Sequence, residues 1–125
     1  MKIVLINEEL HSQMQIYLAL CDRHSVEIAE DEETALRLIN EKLPDLVVLD
    51  LGLPSPDGNG WAGLRLLEKV KRQHPHIRVV TIINEENEDI LGKASTLGVN
   101  DFIRKPIRSR RLMEIVGQQV VPMMG

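Results

Sequence analysis

Charged and amide side chains follow several apolar runs of this sequence at the points where those runs end. Asn7-Glu8-Glu9 follows the first run, Asp50 closes a central one, and a short later run stops at Lys105-Pro106. Carboxylate and carbonyl oxygens suit a hard divalent cation such as Mg²⁺, and a lysine opposite them suits an incoming phosphoryl group. If these positions meet in space, the chemistry that they fit is phosphoryl transfer onto a carboxylate.

The elements that must position these residues show two periodicities. Continuous apolar runs at 3–6 and 46–49 predict strands buried on both faces, as does the segment 77–83, whose only polar side chains are Arg78 and Thr81. The alternation at 25–29 predicts a strand at the edge of a sheet. A short last strand is expected at Phe102-Ile103. These five strands alternate with segments whose apolar residues recur three and four positions apart, which predicts helices.

Each helix has an expected buried face. The second helix is expected over 31–42, with the proline after Leu43 as its stop, and Gly98 is placed to cap the fourth. The five faces, in chain order, are Leu10, Met14, Tyr17, Leu18 and Cys21; Ala35, Leu36, Ile39 and Leu43; Gly63, Leu66, Leu67 and Val70; Ile90, Ala94 and Leu97; and Leu112, Ile115, Val116 and Val120.

Strict alternation of strands and helices predicts a single doubly wound α/β domain over residues 1–125. Right-handed crossovers and the edge-like second strand favour a five-stranded parallel sheet of order 2-1-3-4-5, with helices on both faces. Ligands of such sheets bind beyond the carboxyl ends of the strands, near the point where the strand order reverses. The strand-terminal residues are therefore expected to converge on one crevice.

Composition narrows the class of protein. A chain of 125 residues that is 43% apolar but only 2% aromatic predicts an aliphatic core, and its net charge of −4 argues against direct nucleic-acid binding through electrostatics alone. The lone Cys21 rules out an internal disulfide and fits a reducing compartment. No run approaches the ~20 apolar residues of a membrane span, and no signal peptide is recognisable. We therefore expect a cytoplasmic domain without membrane contact.

Three segments, at 3–9, 44–54 and 97–106, carry a likeness to a known family. With them the sequence resembles, over essentially its whole length, a response-regulator receiver domain of bacterial two-component signalling. The resemblance implies that Asp50 is the phospho-acceptor, that Lys105 contacts the phosphate and that Phe102 is a switch aromatic. It also implies a cis peptide bond between Lys105 and Pro106.

The same resemblance implies a magnesium ion, held by Glu8, Asp50 and the backbone carbonyl of Gly52. Whether Asn7 contributes through a water is open, since Asn7 and the acids after it also fit a plain helix N-cap. The family carries two acids at the end of the first strand, whereas this chain has Asn7 and the longer Glu8. Mg²⁺ binding is therefore expected to be weak.

Further departures concern the fourth strand and the loop after the third. Ile83 stands where the family has Thr or Ser, and Asn84 replaces the small residue that follows. Together with Phe102, which also fits plain core packing, these are the expected switch positions. Thr81 lies two residues before Ile83 on the same face of the strand, and it is not expected to supply the missing hydroxyl group. The loop at 55–62, with Trp61 near its end, is longer than the family norm.

Two functions follow. In the first, a histidine kinase or phosphotransfer protein phosphorylates Asp50, and the fourth helix, fifth strand and fifth helix switch for signalling. In the alternative, the chain is a degenerate receiver that acts as a phosphorylation-independent protein-protein interaction module. No enzyme activity beyond self-phosphorylation and dephosphorylation is expected.

The sequence does not identify the component on which the domain acts downstream. A downstream protein partner, a missing output domain and a homodimer are all open, as is whether the chain is a stand-alone regulator or a fragment. A basic patch around the last helix is expected to be either solvated or in contact with a partner; it comprises Arg104, Arg108, Arg110 and Arg111.

Overall fold

The computed structural model describes residues 1–53, 62–84 and 88–120. The strands are β1 (Lys2–Ile6), β2 (Ser25–Ala29), β3 (Leu46–Asp50), β4 (Arg78–Ile83) and β5 (Asp101–Arg104). The helices are α1 (Leu10–Leu20), α2 (Glu32–Lys42), α3 (Ala62–Gln73), α4 (Glu88–Thr96) and α5 (Ser109–Gln118). The loop predicted around Trp61 lies outside the described residues. Within those residues, no helix combines the length and the apolar character needed to cross a membrane.

The five strands form one parallel sheet in the order β2-β1-β3-β4-β5, which confirms the doubly wound α/β fold. The expected edge strand, β2, lies at one edge, and its alternating apolar residues Val26 and Ile28 pack against the core cluster that lies under α1 and α5. From β1 the chain adds β2 on one side, and it then adds β3 on the other side, so the strand order reverses between β1 and β3. The carboxyl ends of these two parallel strands therefore border the crevice.

Apolar side chains cover both faces of the sheet because successive strand residues point to opposite sides. The first core cluster lies under α2, α3 and α4, and it includes Ile6, Leu49, Leu66, Leu67 and Ile83. The second lies under α1 and α5, and it includes Leu5, Val48, Ile82, Leu112 and Ile115. The strands β1, β3 and β4 are therefore buried on both faces, as predicted.

The predicted buried face of α1 is wrong. Leu10 and Leu18 are 70% and 62% exposed, and Met14 and Tyr17 are exposed as well, whereas the buried residues of α1 are Ser12, Gln13, Ile16 and Leu20. The period is helical, but the helix is turned so that Ile16 and Leu20 pack into the second core cluster and two polar side chains face inward with them. Gln13 Nε2 donates to the Asn7 carbonyl at 2.6 Å, and Ser12 Oγ donates to the Glu9 carboxylate at 3.1 Å.

The other helices follow their predicted faces more closely. Asp31 caps α2 by accepting a hydrogen bond from the Thr34 N–H at 2.8 Å, and Gly98 closes α4 at a positive φ of 89°. Two predicted core positions are nevertheless exposed. Leu43 adopts the left-handed conformation after α2, which turns its side chain outward, and Val120 lies beyond the end of α5.

Candidate functional site

The carboxyl ends of the central strands bring the candidate site residues to one edge of the sheet. Asp50 is the last residue of β3, and Asn7 and Lys105 follow β1 and β5 directly. Because Ile6 pairs with Leu49, the next residues along, Asn7 and Asp50, are level with each other on neighbouring strands. Parallel strands lie about 4.8 Å apart, so these two side chains are close neighbours on one face.

Asp50 is the centre of this site. Its side chain is nearly enclosed, with the residue only 5% exposed, and both carboxylate oxygens have partners. The Gly52 N–H donates to Oδ1 at 2.8 Å, and Lys105 Nζ lies 3.0 Å from Oδ2. These two contacts hold the carboxylate in one orientation, with the lysine side chain still 30% exposed at the mouth of the crevice.

Two glycines shape the turn that follows Asp50. A Cβ at Gly52 would lie 3.1 Å from Asp50 Oδ1 and 3.8 Å from Lys105 Nζ, so this position keeps the carboxylate accessible. A Cβ at Gly63, in the first turn of α3, would lie 2.8 Å from both the Cα and the carbonyl oxygen of Leu51. The backbone of α3 therefore packs directly on the residue after Asp50.

Asn7 is completely buried at the end of β1. Its Oδ1 accepts a hydrogen bond from the Glu9 N–H at 2.7 Å, which closes a turn before α1; the N-cap of this helix is Glu9, so Asn7 is not the N-cap. Its carbonyl oxygen accepts from Gln13, but its Nδ2 has no hydrogen-bond partner. The position that the family fills with an acid thus presents an N–H donor.

The oxygens expected to bind a metal are those of Asp50, Glu8 and the Gly52 carbonyl, which are ligands that hard cations prefer. Glu8 and Gly52 are both exposed. Among the described residues, no three acidic, histidine or cysteine side chains are grouped so as to hold a metal ion. This donor set fits a weakly held Mg²⁺ that keeps several waters, rather than a tightly caged ion.

The end of β4 lacks a hydroxyl group facing the crevice. Ile83 is buried in the first core cluster, and Asn84 after it is exposed. Thr81 pairs with Leu49 and Phe102, one residue short of the level of Asp50, and its buried hydroxyl has no partner. Phe102 is half-buried against the first core cluster. The peptide bond between Lys105 and Pro106 is cis, as predicted.

Two surfaces border the site. The exposed side chains of α1 form an α1 apolar face, consisting of Leu10, Met14, Tyr17 and Leu18. A groove of about 670 Å³ runs from this face to Lys105 and Pro106. A second groove, of about 310 Å³, lies at β5 and the start of α5, and four cationic side chains line it: Arg104, Lys105, Arg108 and Arg111. We call it the α5 basic groove.

Sequence reasoning missed two of these features. The close approach of Gly63 to Leu51 has a weak signal, since glycine is unfavourable inside a helix and often marks a tight contact. The inward-facing Gln13 has no signal in the pattern of apolar residues, because its place depends on a backbone carbonyl at the end of β1.

A family model described as the response regulator receiver domain matches residues 3–117. Among curated proteins, the chain is 37% identical over 92 residues to the nitrogen assimilation regulatory protein NtrX of Azorhizobium caulinodans. It is 34% identical over 98 residues to the regulator of RpoS of Escherichia coli. These matches cover 74% and 78% of this chain but only 20% and 28% of the relatives, so the chain spans a minor part of their length.

Solved structures agree with this likeness. The receiver domain of NtrX from Brucella abortus superimposes with a TM-score of 0.85 at 33% identity, covering 94% of this chain and 97% of that one. A receiver domain of a Bacteroides fragilis response regulator superimposes with a TM-score of 0.85 at 21% identity, which shows the common fold.

Proposed function

The chain belongs to the family of response regulator receiver domains, and from that premise we propose that it accepts a phosphoryl group on Asp50 from a histidine kinase or phosphotransfer protein. One observation carries the proposal: a buried carboxylate at the strand edge is held by the Gly52 N–H and by Lys105 Nζ. Such an arrangement orients a carboxylate oxygen as a nucleophile and places a cation where phosphoryl charge would collect.

In this reaction an Asp50 oxygen attacks phosphorus, the P–N bond of the donor's phosphohistidine breaks, and the imidazole leaves with the bonding electron pair. Lys105, which neutralises Asp50 in the resting protein, then neutralises a phosphoryl oxygen. The Gly52 N–H keeps the carboxyl group in place during the attack. No further enzyme activity is proposed.

Glu8, Asp50 and the Gly52 carbonyl would hold a magnesium ion, to which Asn7 could add a water-mediated contact. When bound, this ion supplies charge neutralisation at the phosphoryl oxygens. With two carboxylates in place of the usual three, the affinity is expected to be low, because the number of ligand charges governs the binding of hard cations.

Phosphorylation replaces the single negative charge of the Asp50 carboxylate with the charge of about −1.5 to −2 that a phosphoryl group carries. Lys105 follows β5 directly, so its new partner changes the balance of forces at the α4-β5-α5 face. Ile83 offers no hydroxyl to the phosphoryl group, which leaves the exposed Asn84 as the polar side chain at the end of β4. Phe102, packed beside Thr81, is the aromatic that would change its packing.

Intact mass spectrometry tests the proposal. The protein is incubated with acetyl phosphate and Mg²⁺, and we expect the mass of one phosphoryl group to be added. The adduct should disappear with hydroxylamine, which cleaves acyl phosphates, and fragmentation should place it on Asp50. An unchanged mass after incubation with several small phosphodonors would contradict the proposal.

The α1 apolar face suits the docking of the phosphodonor. A donor must bring its phosphohistidine to Asp50, so its body must rest on surfaces that border the crevice. The groove along α1 is continuous with Lys105, and its wall carries the exposed Met14 and Leu18. We therefore propose that an amphipathic helix of the donor packs its apolar residues against this face.

A double variant, Leu10→Ser with Leu18→Ser, is expected to slow phosphotransfer about ten-fold from the histidine kinase that phosphorylates the parent fastest, because burial of apolar area is lost. The measurement is phosphotransfer profiling with purified kinases of the source organism. Phosphorylation by acetyl phosphate should be unchanged. Met113→Ser, an exposed apolar residue on α5, serves as the control. Equal slowing by Met113→Ser would argue against a specific role for α1.

A second function is favoured by Asn7 and Ile83, which replace an acid and a hydroxyl of the family pattern. The chain would then be a degenerate receiver that binds a partner protein without phosphorylation. It would bind that partner equally well with and without acetyl phosphate treatment, and Asp50→Asn would leave the binding intact.

A further inference from the structure

Two buried side-chain polar atoms among the described residues lack a hydrogen-bond partner, and one of them is Asn7 Nδ2 beside the crevice. The orientation of this amide is fixed, because the Glu9 N–H at 2.7 Å requires an acceptor and therefore the oxygen, Oδ1. Nδ2 is thus an N–H donor in a residue with no exposed surface. A buried donor without a partner is unfavourable, so a ligand that supplies an acceptor is stabilised there.

The position of Asn7 in the sheet determines which groups lie near this donor. Ile6 and Leu49 are register partners in the first core cluster, so Asn7 and Asp50, one residue further on, both turn to the opposite face. Asn7 is therefore the neighbour, on the adjacent strand and the same face, of the residue whose carboxyl group Lys105 Nζ contacts at 3.0 Å. The register thus brings an amide side chain and an ammonium group to Asp50.

The chemistry of this pair favours an oxyanion over a cation. An N–H donor cannot ligate a metal ion, and the Glu9 N–H already uses one of the two lone pairs of the Asn7 amide oxygen. A phosphoryl group has three oxygens that accept hydrogen bonds, and a charge-assisted bond to one of them is among the stronger hydrogen bonds. An acid at position 7 would instead repel the phosphoryl group unless a cation lay between them.

We propose that Asn7 Nδ2 donates a hydrogen bond to an oxygen of the phosphoryl group on Asp50, so that this site holds a phosphoryl group with reduced dependence on a divalent cation. The proposal rests on the proposed phosphorylation of Asp50. Asn7 is then a direct phosphoryl contact, and the exchange of an acid for an amide trades metal affinity for oxyanion affinity.

The first test measures the rate of phosphorylation by acetyl phosphate in EDTA and over a series of Mg²⁺ concentrations, by intact mass. We expect the parent to react in EDTA, Asn7→Ala to react about ten-fold more slowly there, and Asn7→Asp to be equally slow until Mg²⁺ is added. Asn40→Asp, which adds the same charge on the surface of α2, is the control. Equal rates for the parent and Asn7→Ala in EDTA would overturn the proposal.

The second test needs no phosphorylation. In an Asp50→Asn background, which removes the carboxylate that repels anions, inorganic phosphate is titrated without metal, and the side-chain amide protons of Asn7 are followed by NMR. We expect these protons to shift with phosphate and not with sodium chloride at matched ionic strength. The absence of a shift would overturn the role of Asn7. If the shift occurs but the parent never forms an acyl phosphate, even with Mg²⁺, the oxyanion site stands and the proposed function fails.

Discussion

An Asp50→Asn variant is expected to acquire no phosphoryl group from acetyl phosphate under conditions in which the parent is labelled. The amide lacks the anionic oxygen that attacks phosphorus, and it leaves Lys105 without its partner at 3.0 Å. Glu8, an acid that follows β1 near this strand edge, is exposed and has no fixed orientation from a described contact, so we do not expect it to accept the phosphoryl group instead. Intact mass spectrometry measures the loss.

Asp45→Asn is the matched control for this variant. Asp45 directly precedes the same strand, β3, at its opposite end, where it accepts a hydrogen bond from the Lys2 N–H at 2.9 Å. It should be labelled like the parent, and thermal unfolding should show that both variants are folded. A phosphoryl adduct that persists in Asp50→Asn would assign the acceptor to a different residue.

A Gly63→Ala variant is expected to lower the free energy of unfolding by about 1–3 kcal/mol. The added methyl group would lie 2.8 Å from two backbone atoms of Leu51, and backbone cannot move aside as a flexible side chain can. The strain outweighs the higher helix propensity of alanine, which favours the variant by about 1 kcal/mol. Urea denaturation measures the difference.

Alanine variants at two other helical glycines are the controls for the steric strain expected at position 63. Gly92 in α4 and Gly117 in α5 have no atom within 4 Å of an added Cβ, so their alanine variants should be more stable than the parent by about 0.5–1 kcal/mol. The opposite signs would attribute the loss at position 63 to the contact with Leu51. If Gly63→Ala is as stable as the other two variants, α3 does not pack tightly on the turn after Asp50.

Most of the fold was predictable because its three central strands are buried on both faces and therefore appear as largely apolar runs. The convergence of Asp50 and Lys105 followed from the rule that parallel strands present their carboxyl ends at one edge. The rotation of α1 was not predictable from periodicity. The α1 apolar face has a helical period, but the inward side of the helix carries Ile16, Leu20 and the hydrogen-bonded Gln13 instead.

The detailed contacts of the site are less predictable from the sequence than the fold is. The sequence shows that an amide replaces an acid at position 7, but not that its oxygen is engaged by Glu9 and its nitrogen is unpartnered. Likewise, the apolar pattern places Gly63 on the buried face of a helix without showing that it touches backbone. Both facts depend on the distance between two segments of the folded chain, and the order of apolar and polar residues in the sequence does not specify that distance.

The α5 basic groove has a consequence for how this domain meets others. In a symmetric pair, each copy would present the same arginines to its twin, and the acids that flank this stretch of chain are only Asp101 and Glu114, the latter already 3.4 Å from Arg111. Like charges would then slow the approach of an identical molecule. Acidic surfaces would be drawn in faster, over a range of about 8 Å at physiological salt. The groove therefore favours an acidic partner surface over a symmetric interface centred on the groove itself.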